Sequence, residues 1–140
     1  MPKFVAVDVK TTINGQDFSD HIAAVTLDIT ADEIETTAFG GNGWRTRVGG
    51  LKDGSITIDF HQDFATTGSG AVDQTIWTNF GSLATVVVTP TSGSVTASNP
   101  SYTGVFLVSQ TQPYASTVGD LATMSVTWPN AGSAITRGTV

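Results

Sequence analysis

The sequence contains no cysteine and no long apolar run. The absence of cysteine excludes disulfides, thiolate catalysis and cysteine-containing zinc sites, and it is typical of a chain that folds in a reducing cytoplasm. The apolar runs, such as residues 86–88, are far too short to cross a bilayer. Residues 1–10 also lack the apolar segment of a secretory signal, so we expect a soluble chain with no membrane association.

Positive charge is also scarce. Six lysine and arginine residues stand against twelve acidic residues, and the formal net charge is −6. A protein that grips DNA normally neutralises many phosphates with lysine and arginine, so this composition argues against tight DNA binding. Three of the six basic residues, Arg45, Arg47 and Lys52, lie in one glycine-rich stretch, residues 38–55.

Threonine, valine and glycine are common, which predicts an all-β protein. The 140 residues fit one domain, residues 1–140, with no internal repeat and no linker. Asn14-Gly15 is a strong hairpin signal. Alternating apolar and polar residues predict strands at Lys3–Val9, Ala24–Thr30, Ser55–Phe60, Leu83–Thr89, Tyr102–Ser109 and Leu121–Trp128, with a short strand at Ser94–Ala97.

One helix is predicted, at Ala71–Phe80. Its apolar stripe consists of Val72, Ile76, Trp77 and Phe80. Gly81 suits the left-handed conformation that ends many helices. The predicted fold class is therefore all-β with one helix: a β-sandwich or partly closed barrel flanked by a single α-helix.

The glycine-rich stretch could in principle be a phosphate-binding loop. A P-loop requires Gly-x-x-x-x-Gly-Lys-Ser/Thr, and this spacing does not occur. Gly41 and Gly43 match the start of the dinucleotide-binding pattern, but Thr46 stands where its third glycine belongs. A strand rather than a helix is predicted to follow, so no helix N-terminus would face a phosphate. We expect no nucleotide cofactor here.

Two histidines are the remaining candidates for chemistry. Asp59, His61 and Asp63 would share one face of an extended strand, and their side chains could ligate a metal. Three ligands on one strand rarely complete a coordination sphere, and the alternative is a solvated outer face. His21, beside Asp20, is expected at the surface or as a capping residue. No Gly-x-Ser-x-Gly motif occurs, so we expect no catalytic site, no metal and no cofactor.

Residues 39–50 are longer and richer in glycine than a simple hairpin connection. Long loops of this kind are usually functional or disordered. Phe39, Trp44 and Val48 are apolar side chains that should seek a surface to cover them. We interpret the segment as an arm that docks onto another protein. The alternative is a loop that folds back over its own sheet, with Trp44 filling the core.

A second copy of the chain is a suitable partner for this arm. Tryptophan and arginine are enriched at interface hot spots. The predicted docking residues are Phe39, Trp44, Arg45, Arg47 and Lys52. The nearby acidic residues Asp32, Glu33 and Glu35 would offer the opposite charge on another copy.

Five segments in a fixed order carry a resemblance to a known family. They are INGQDFSDHIAAVTLDITADEIETTAFG, WRTRVGGLKDGSITIDFHQDF, AVDQTIWTNFG, SNPSYTGVFLVSQTQP and VGDLATMSVTW. They correspond to a hairpin and strand that lead into an acidic stretch, an Arg-bearing loop with its strand, the single helix, a strand after Asn-Pro-x-Tyr, and the closing strand. In this order and spacing, which covers nearly the whole chain, the sequence resembles the major tail tube protein of long-tailed bacteriophages.

The resemblance implies a sandwich or barrel subunit that assembles into stacked hexameric rings. In that family, strands from six subunits form one β-barrel around a channel. The long glycine-rich loop, here at about residues 32–50, is expected to reach the neighbouring ring. Genomic DNA passes through the typically electronegative lumen without specific binding.

The resemblance also implies partners and a location. The expected partners are further copies of the chain and the tape measure, tail terminator and baseplate proteins, and the expected location is the virion tail after assembly in the host cytoplasm. The predicted function is therefore a non-enzymatic structural subunit of the tail tube, the channel for DNA delivery. The alternatives are a virion decoration or head-surface β-sandwich and the inner-tube subunit of a contractile injection machine.

Overall fold

The computed structural model describes residues 3–140. Within that range eight strands form two antiparallel sheets, and one α-helix, α1 (Val72–Asn79), lies beside them. The strands are β1 (Lys10–Ile13), β2 (Gln16–Asp17), β3 (Ile22–Glu35), β4 (Arg47–His61), β5 (Leu83–Thr89), β6 (Ser101–Leu107), β7 (Thr123–Pro129) and β8 (Thr136–Gly138). No helix of these described residues has the length and apolar character that a bilayer crossing demands.

The two sheets face each other across an apolar core. One sheet has the strand order β2-β1-β5-β6-β8 and the other has the order β3-β4-β7. Alternate residues of both sheets fill the core, among them Ile56, Ile58, Phe60, Val86, Phe106, Met124, Val126 and Trp128. Burying each large apolar side chain contributes about 1.5–3 kcal/mol. The predicted sandwich is confirmed, and in the described chain the sheets do not close into a barrel.

The first hairpin forms where Asn14-Gly15 predicts it. Asn14 has a φ of 50° and Gly15 a φ of 85°, the left-handed pair that a two-residue hairpin turn requires. The turn also contacts β5, because the backbone N–H of Asn14 donates to the carbonyl of Thr85 at 2.8 Å. The backbone N–H of Thr85 donates in return to the Asn14 side chain at 2.9 Å. The turn thus sets the position of β1 against the sheet.

The helix is placed as predicted, but half of its apolar stripe faces solvent. Val72 and Ile76 are buried in the core, whereas Trp77 and Phe80 are 64% and 50% exposed. The helix has only eight residues, so it presents a narrow contact to the sheets. The rings of Trp77 and Phe80 instead stack on each other, with centroids 6.4 Å apart. The predicted stripe is therefore divided between the core, which takes Val72 and Ile76, and the surface, where Trp77 and Phe80 lie.

Two predicted strands are absent from the described residues. Residues 3–9 have no strand partner, and the carboxylate of Asp8 instead accepts hydrogen bonds from the backbone and hydroxyl of Ser92. Alternation alone does not make a strand without a neighbouring ladder. Ser94–Ala97 contributes only an isolated bridge between Thr96 and Asn99. The side chain of Asn99 holds this loop by donating to the carbonyls of Gly93 and Ser94.

Candidate assembly surfaces

The longest strands, β3 and β4, form a hairpin that projects beyond the sandwich. β7 pairs with β4 only from Ser55 to His61, so the rest of β4 pairs with β3 alone. We call residues 30–53 the arm. All of its residues are exposed except Gly41 and Gly50, which are half-buried. Its paired part extends about 20 Å at 3.4 Å per residue.

The structure narrows the predicted loop at about residues 32–50. Residues 32–35 belong to β3 and residues 47–50 belong to β4, so the connection is residues 36–46. Cross-strand pairing, with Ile34 opposite Val48, extends the ladder into the glycine-rich stretch. A Cβ atom on Gly50 would lie 2.8 Å from Cδ1 of Ile34, so this glycine permits a close strand approach. Gly50 therefore helps the two strands of the arm to pair closely and does not make the arm mobile.

Hydrogen bonds order the tip of the arm. The backbone N–H of Thr36 donates to the carbonyl of Thr46 at 2.8 Å, and the hydroxyls of these two threonines are 2.9 Å apart. The backbone N–H of Trp44 donates to the carbonyl of Gly41 at 3.1 Å. Asn42 and Gly43 adopt the left-handed conformation with φ of 53° and 86°. These hydrogen bonds therefore fix the backbone at Trp44.

The two aromatic side chains of the arm point into solvent. Phe39 is fully exposed, and Trp44 is 79% exposed. The alternative in which Trp44 fills the core is therefore wrong. Trp128, which is 0% exposed, occupies the core instead. An exposed Trp and Phe on an unsupported hairpin form the kind of apolar surface that marks an interaction site.

The charged residues of the arm pair with one another. Nε of Arg47 lies 2.8 Å from Oε1 of Glu33, and Nε of Arg45 lies 3.9 Å from Oε1 of Glu35. Across the described residues, Asp32 and Lys52 make no ion pair. The sequence pattern predicted these bases and acids on opposite sides of an interface, whereas here they are neighbours in one hairpin. Their contact with another copy stays a prediction.

The outer face of the three-stranded sheet is polar and acidic. Cross-strand pairs place Thr26 beside Thr57 and Thr57 beside Thr127, and the last two hydroxyls are 3.0 Å apart. The same face carries Asp28, Asp53 and Asp59 and no lysine or arginine. The predicted row Asp59, His61 and Asp63 is not formed, because β4 ends at His61.

Asp63 instead belongs to a cluster around His21. Nε2 of His21 lies 2.9 Å from Oδ2 of Asp63, and Nδ1 lies 2.9 Å from Oδ1 of Asp20. The hydroxyl of Ser69 donates to the other Asp20 oxygen at 3.0 Å. The bond to Asp20 raises the pKa of His21, and burial opposes it. The sequence does not reveal this pairing, because Asp63 is 42 residues from His21 along the chain.

No described group of three or more His, Asp or Glu side chains is arranged to hold a metal ion. The His21 cluster also lacks the geometry of a nucleophilic triad. Both ring nitrogens of His21 contact carboxylates, and Ser69 contacts Asp20 rather than the histidine. The cluster therefore works as a clamp that ties the turn before β3 to the segment before α1.

Comparison with known proteins shows the fold. No protein-family model and no curated protein match the sequence. A chain from the virion of a native gene transfer agent particle matches with a TM-score of 0.67 and 18% identity, covering 92% of this chain and 95% of that one. A chain from the tail of an empty gene transfer agent particle, solved with C6 symmetry, matches with a TM-score of 0.60 and 18% identity, covering 86% of this chain and 82% of that one. The chain thus has a fold found in the virion and tail of such particles.

Proposed function

We propose that the chain is a non-enzymatic structural subunit of a phage-type tail tube, which forms hexameric rings that stack around a channel for DNA. The arm is the observation that carries the proposal. A two-stranded hairpin without a core of its own is marginally stable in water, and this one exposes Phe39 and Trp44 at its tip. Such an arm is expected where another subunit covers it in an assembly.

The sheet edges supply a means of ring formation. The five-stranded sheet ends in β2, which has two residues, and β8, which has three. The three-stranded sheet ends in β3, which has 14 residues, and β7, which has seven. A ring requires two different surfaces on each subunit. Pairing of β7 on one copy with β3 on the next provides them, and closure removes both exposed edges.

The size of such a ring fits a channel. Six copies of a three-stranded sheet give about 18 strands, and at a spacing of about 4.8 Å and a tilt of about 40° these close into a barrel about 36 Å across. Barrels of this strand number leave an aqueous channel. The gene transfer agent tail that shares the fold was solved with C6 symmetry, which supports six as the copy number.

The outer face of the three-stranded sheet is our proposed lining of the channel. Asp28, Asp53 and Asp59 give it negative charge, and its remaining side chains are mostly threonine and serine. Carboxylates repel phosphates, so DNA would pass without binding. Screening confines this repulsion to within about 8 Å of the wall at physiological salt.

The arm is our proposed contact between rings. Phe39 and Trp44 would bury apolar surface on the neighbouring ring. Arg45, Arg47 and Lys52 would contact the acidic residues Asp32, Glu33 and Glu35 of another copy. Since Arg45 and Arg47 already have partners in their own arm, such contacts would exchange partners, and the aromatic side chains would supply most of the gain.

The remaining partners follow from the same proposal. A tube subunit meets a tape measure protein inside the channel and terminator and baseplate proteins at the two ends. It resides in the virion tail after assembly in the host cytoplasm. The whole chain, residues 1–140, acts as one domain in this role.

Negative-stain microscopy of the purified chain tests the proposal. We expect rings or tubes with sixfold symmetry at high concentration or in the presence of tail initiation proteins. A folded chain that stays monomeric under both conditions contradicts the proposal. Binding to preformed particles without self-assembly would instead indicate a decoration protein.

A further inference from the structure

Two glutamine side chains cover the outer edge of β7. The backbone N–H of Thr127 donates to Oε1 of Gln110 at 2.9 Å, and the backbone N–H of Ser125 donates to Oε1 of Gln112 at 3.1 Å. These two amides point away from β4, toward the open side of β7 on which a further strand would bind. Pro129, the last residue of β7, has no N–H to donate. The glutamine carbonyls therefore occupy the places of backbone carbonyls from a neighbouring strand.

The backbone that carries these glutamines is fixed independently of them. The carbonyl of Gln110 accepts a hydrogen bond from Nε1 of the buried Trp128 at 3.0 Å. The carbonyl of Pro113 accepts one from the Gln62 side chain at 2.9 Å. Within residues 3–140, the hydrogen bonds to the Ser125 and Thr127 amides come from the side chains of Gln110 and Gln112, so rotation about their χ angles can uncover these amides while the backbone stays anchored.

The outer edge of β3 is not covered in this way. In residues 3–140, the backbone groups at positions 23–34 of β3 make hydrogen bonds only to β4. β3 carries Asp28, Asp32, Glu33 and Glu35 and no lysine or arginine, whereas β7 has no charged residue. Two β3 strands side by side would therefore bring like charges together, which is unfavourable. A β3 strand beside β7 has no such conflict.

We propose that Gln110 and Gln112 form a displaceable guard on the β7 edge, and that the strand that displaces them is β3 of a second copy. This inference rests on the proposed self-assembly. In the free subunit the guard satisfies the two edge amides and prevents nonspecific strand pairing. In the ring the same amides bond to carbonyls of the neighbouring β3. The hydrogen bonds at Ser125 and Thr127 are exchanged rather than lost.

The direction of the new strand pair follows from symmetry. β3 and β7 both run antiparallel to β4, so they run parallel to each other within one subunit. Rotation about a ring axis preserves strand direction. β7 and the β3 of the next copy therefore form a parallel pair, with slanted and evenly spaced hydrogen bonds.

Amide hydrogen exchange in the free subunit tests the guard. We expect the amides of Ser125 and Thr127 to exchange at least tenfold faster in Q110A/Q112A than in the wild type. Q110E/Q112E keeps the acceptor oxygens and should retain most of the protection. Gln74, exposed on α1, supplies the control Q74A, which should change neither amide. Equal exchange in the wild type and in Q110A/Q112A overturns the guard, whether or not rings form.

Assembly tests the strand that replaces the guard. Q110A/Q112A should assemble at a lower concentration than the wild type, and its two edge amides should become protected in the rings. If the Ser125 and Thr127 amides stay unprotected in assembled Q110A/Q112A, the proposed replacement of the guard by a neighbouring strand is wrong. A wild-type chain that never assembles overturns the proposed function and the second copy as occupant, while the exchange result in the free subunit still decides the guard.

Engineered cysteines identify the neighbouring strand, since the chain has none of its own. Ala24 and Ser125 both pair with Asp59, from opposite sides. They are therefore about two strand spacings, or about 10 Å, apart in one chain, which is too far for a disulfide. We expect A24C, T26C or D28C combined with S125C to form disulfide-linked oligomers. Oxidised rings that contain no such link for any of the three pairs contradict pairing of β3 with β7.

Discussion

At the scale of the single residue, Trp44 has a role only if another molecule covers it. It is 79% exposed, so its removal leaves the core intact. We expect Trp44→Ala to change the free energy of unfolding by less than about 0.5 kcal/mol. The same variant should form rings that stack poorly, seen as shorter tubes by electron microscopy. Trp77→Ala, which removes another exposed tryptophan outside the arm, is the matched control and should form tubes of normal length.

The arginines of the arm allow a separate test at this scale. Arg45→Glu with Arg47→Glu places four carboxylates together, since each arginine now pairs with a glutamate. Exposed ion pairs contribute about 0–1 kcal/mol each, so the subunit should stay folded. We expect stacking to fall, as measured by tube length and sedimentation.

A charge swap provides the control for that experiment. Adding Glu33→Arg and Glu35→Arg to the reversed arm restores both pairs with opposite polarity. Tubes should reappear in the variant with all four substitutions when every copy carries the swap. Normal tubes in the double variant Arg45→Glu/Arg47→Glu would show that the arginines do not contribute to stacking.

His21 predicts a pH dependence of stability. Hydrogen bonding to Asp20 raises its pKa above the ordinary 6.5, so the protonated clamp stabilises the fold fully below about pH 6.5 and is lost as the pH rises through the raised pKa. The pKa of Asp20 is lowered from 3.8, chiefly by its hydrogen bond with His21. The stability that the Asp20 carboxylate contributes is therefore present above about pH 3.8 and is lost as the pH falls through the lowered pKa. Between these limits, His21→Gln should lower Tm by a few degrees, and the difference should shrink in alkaline solution.

Thermal unfolding of the wild type and His21→Gln between pH 4 and pH 9 measures this effect. His61→Gln is the control, because His61 makes no ion pair with any residue that the structure describes. A difference in Tm that stays constant across the range would show that His21 acts through packing alone.

At the scale of the element, the sequence predicted those strands, turns and helices that depend on interactions between residues close together in the chain. β5 has the predicted bounds, and α1 differs from its predicted range by one residue at each end. Asn14-Gly15 dictates its own turn. Residues 3–9 alternate as a strand would, but strand formation depends on a partner elsewhere in the chain, and none is present in the described range. Sequence periodicity does not contain that information.

In the arm the error is the reverse: a loop was predicted where strands are present. Glycine at positions 49 and 50 and three further glycines at positions 40, 41 and 43 predicted a long loop, yet Gly49 and Gly50 lie in β4. One residue more of β4 than of β3 lies between the pairs Ala31–Lys52 and Glu33–Gly49, which is a β-bulge. Register and bulge position depend on cross-strand contacts. The candidate docking residues could be predicted from composition, whereas their arrangement in a paired hairpin could not.

Gly50 offers a prediction about the order of the arm. In Gly50→Ala the new Cβ would lie 2.8 Å from Cδ1 of Ile34 and 3.1 Å from Cβ of Asp32. Ile34 can move its terminal methyl, so we expect a modest cost of about 1 kcal/mol, confined to the arm. Amide exchange of residues 32–36 should accelerate several-fold. Gly49→Ala is the matched control, because its Cβ would meet no atom within 4 Å. Equal exchange in both variants would contradict a role for close approach at Gly50.

At the scale of the whole molecule, the pairing register decides which residues share a surface. Net charge alone indicated a chain that does not grip DNA. The register of β3, β4 and β7 adds that Asp28, Asp53 and Asp59 lie together on one broad face, free of lysine and arginine. These residues come from two strands and could not be grouped from the sequence, since the alignment of β3 with β4 depends on the bulges.

The proposed channel lining makes the last prediction. Asp28→Lys with Asp59→Lys raises the net charge by four, from −6 to −2, and puts the new charges on the proposed lining. Asp73→Lys with Asp120→Lys makes the same change in net charge on α1 and a loop. If the outer face lines the channel, assembled D28K/D59K tubes should retain DNA that passes through the wild type, with an affinity that falls steeply as salt rises. The binding should approach saturation at few DNA molecules per tube, because only the channel offers sites. D73K/D120K tubes should bind DNA weakly and only on the outside, where nuclease can reach it. Equal and nuclease-sensitive binding by both variants would place the acidic face on the exterior of the tube.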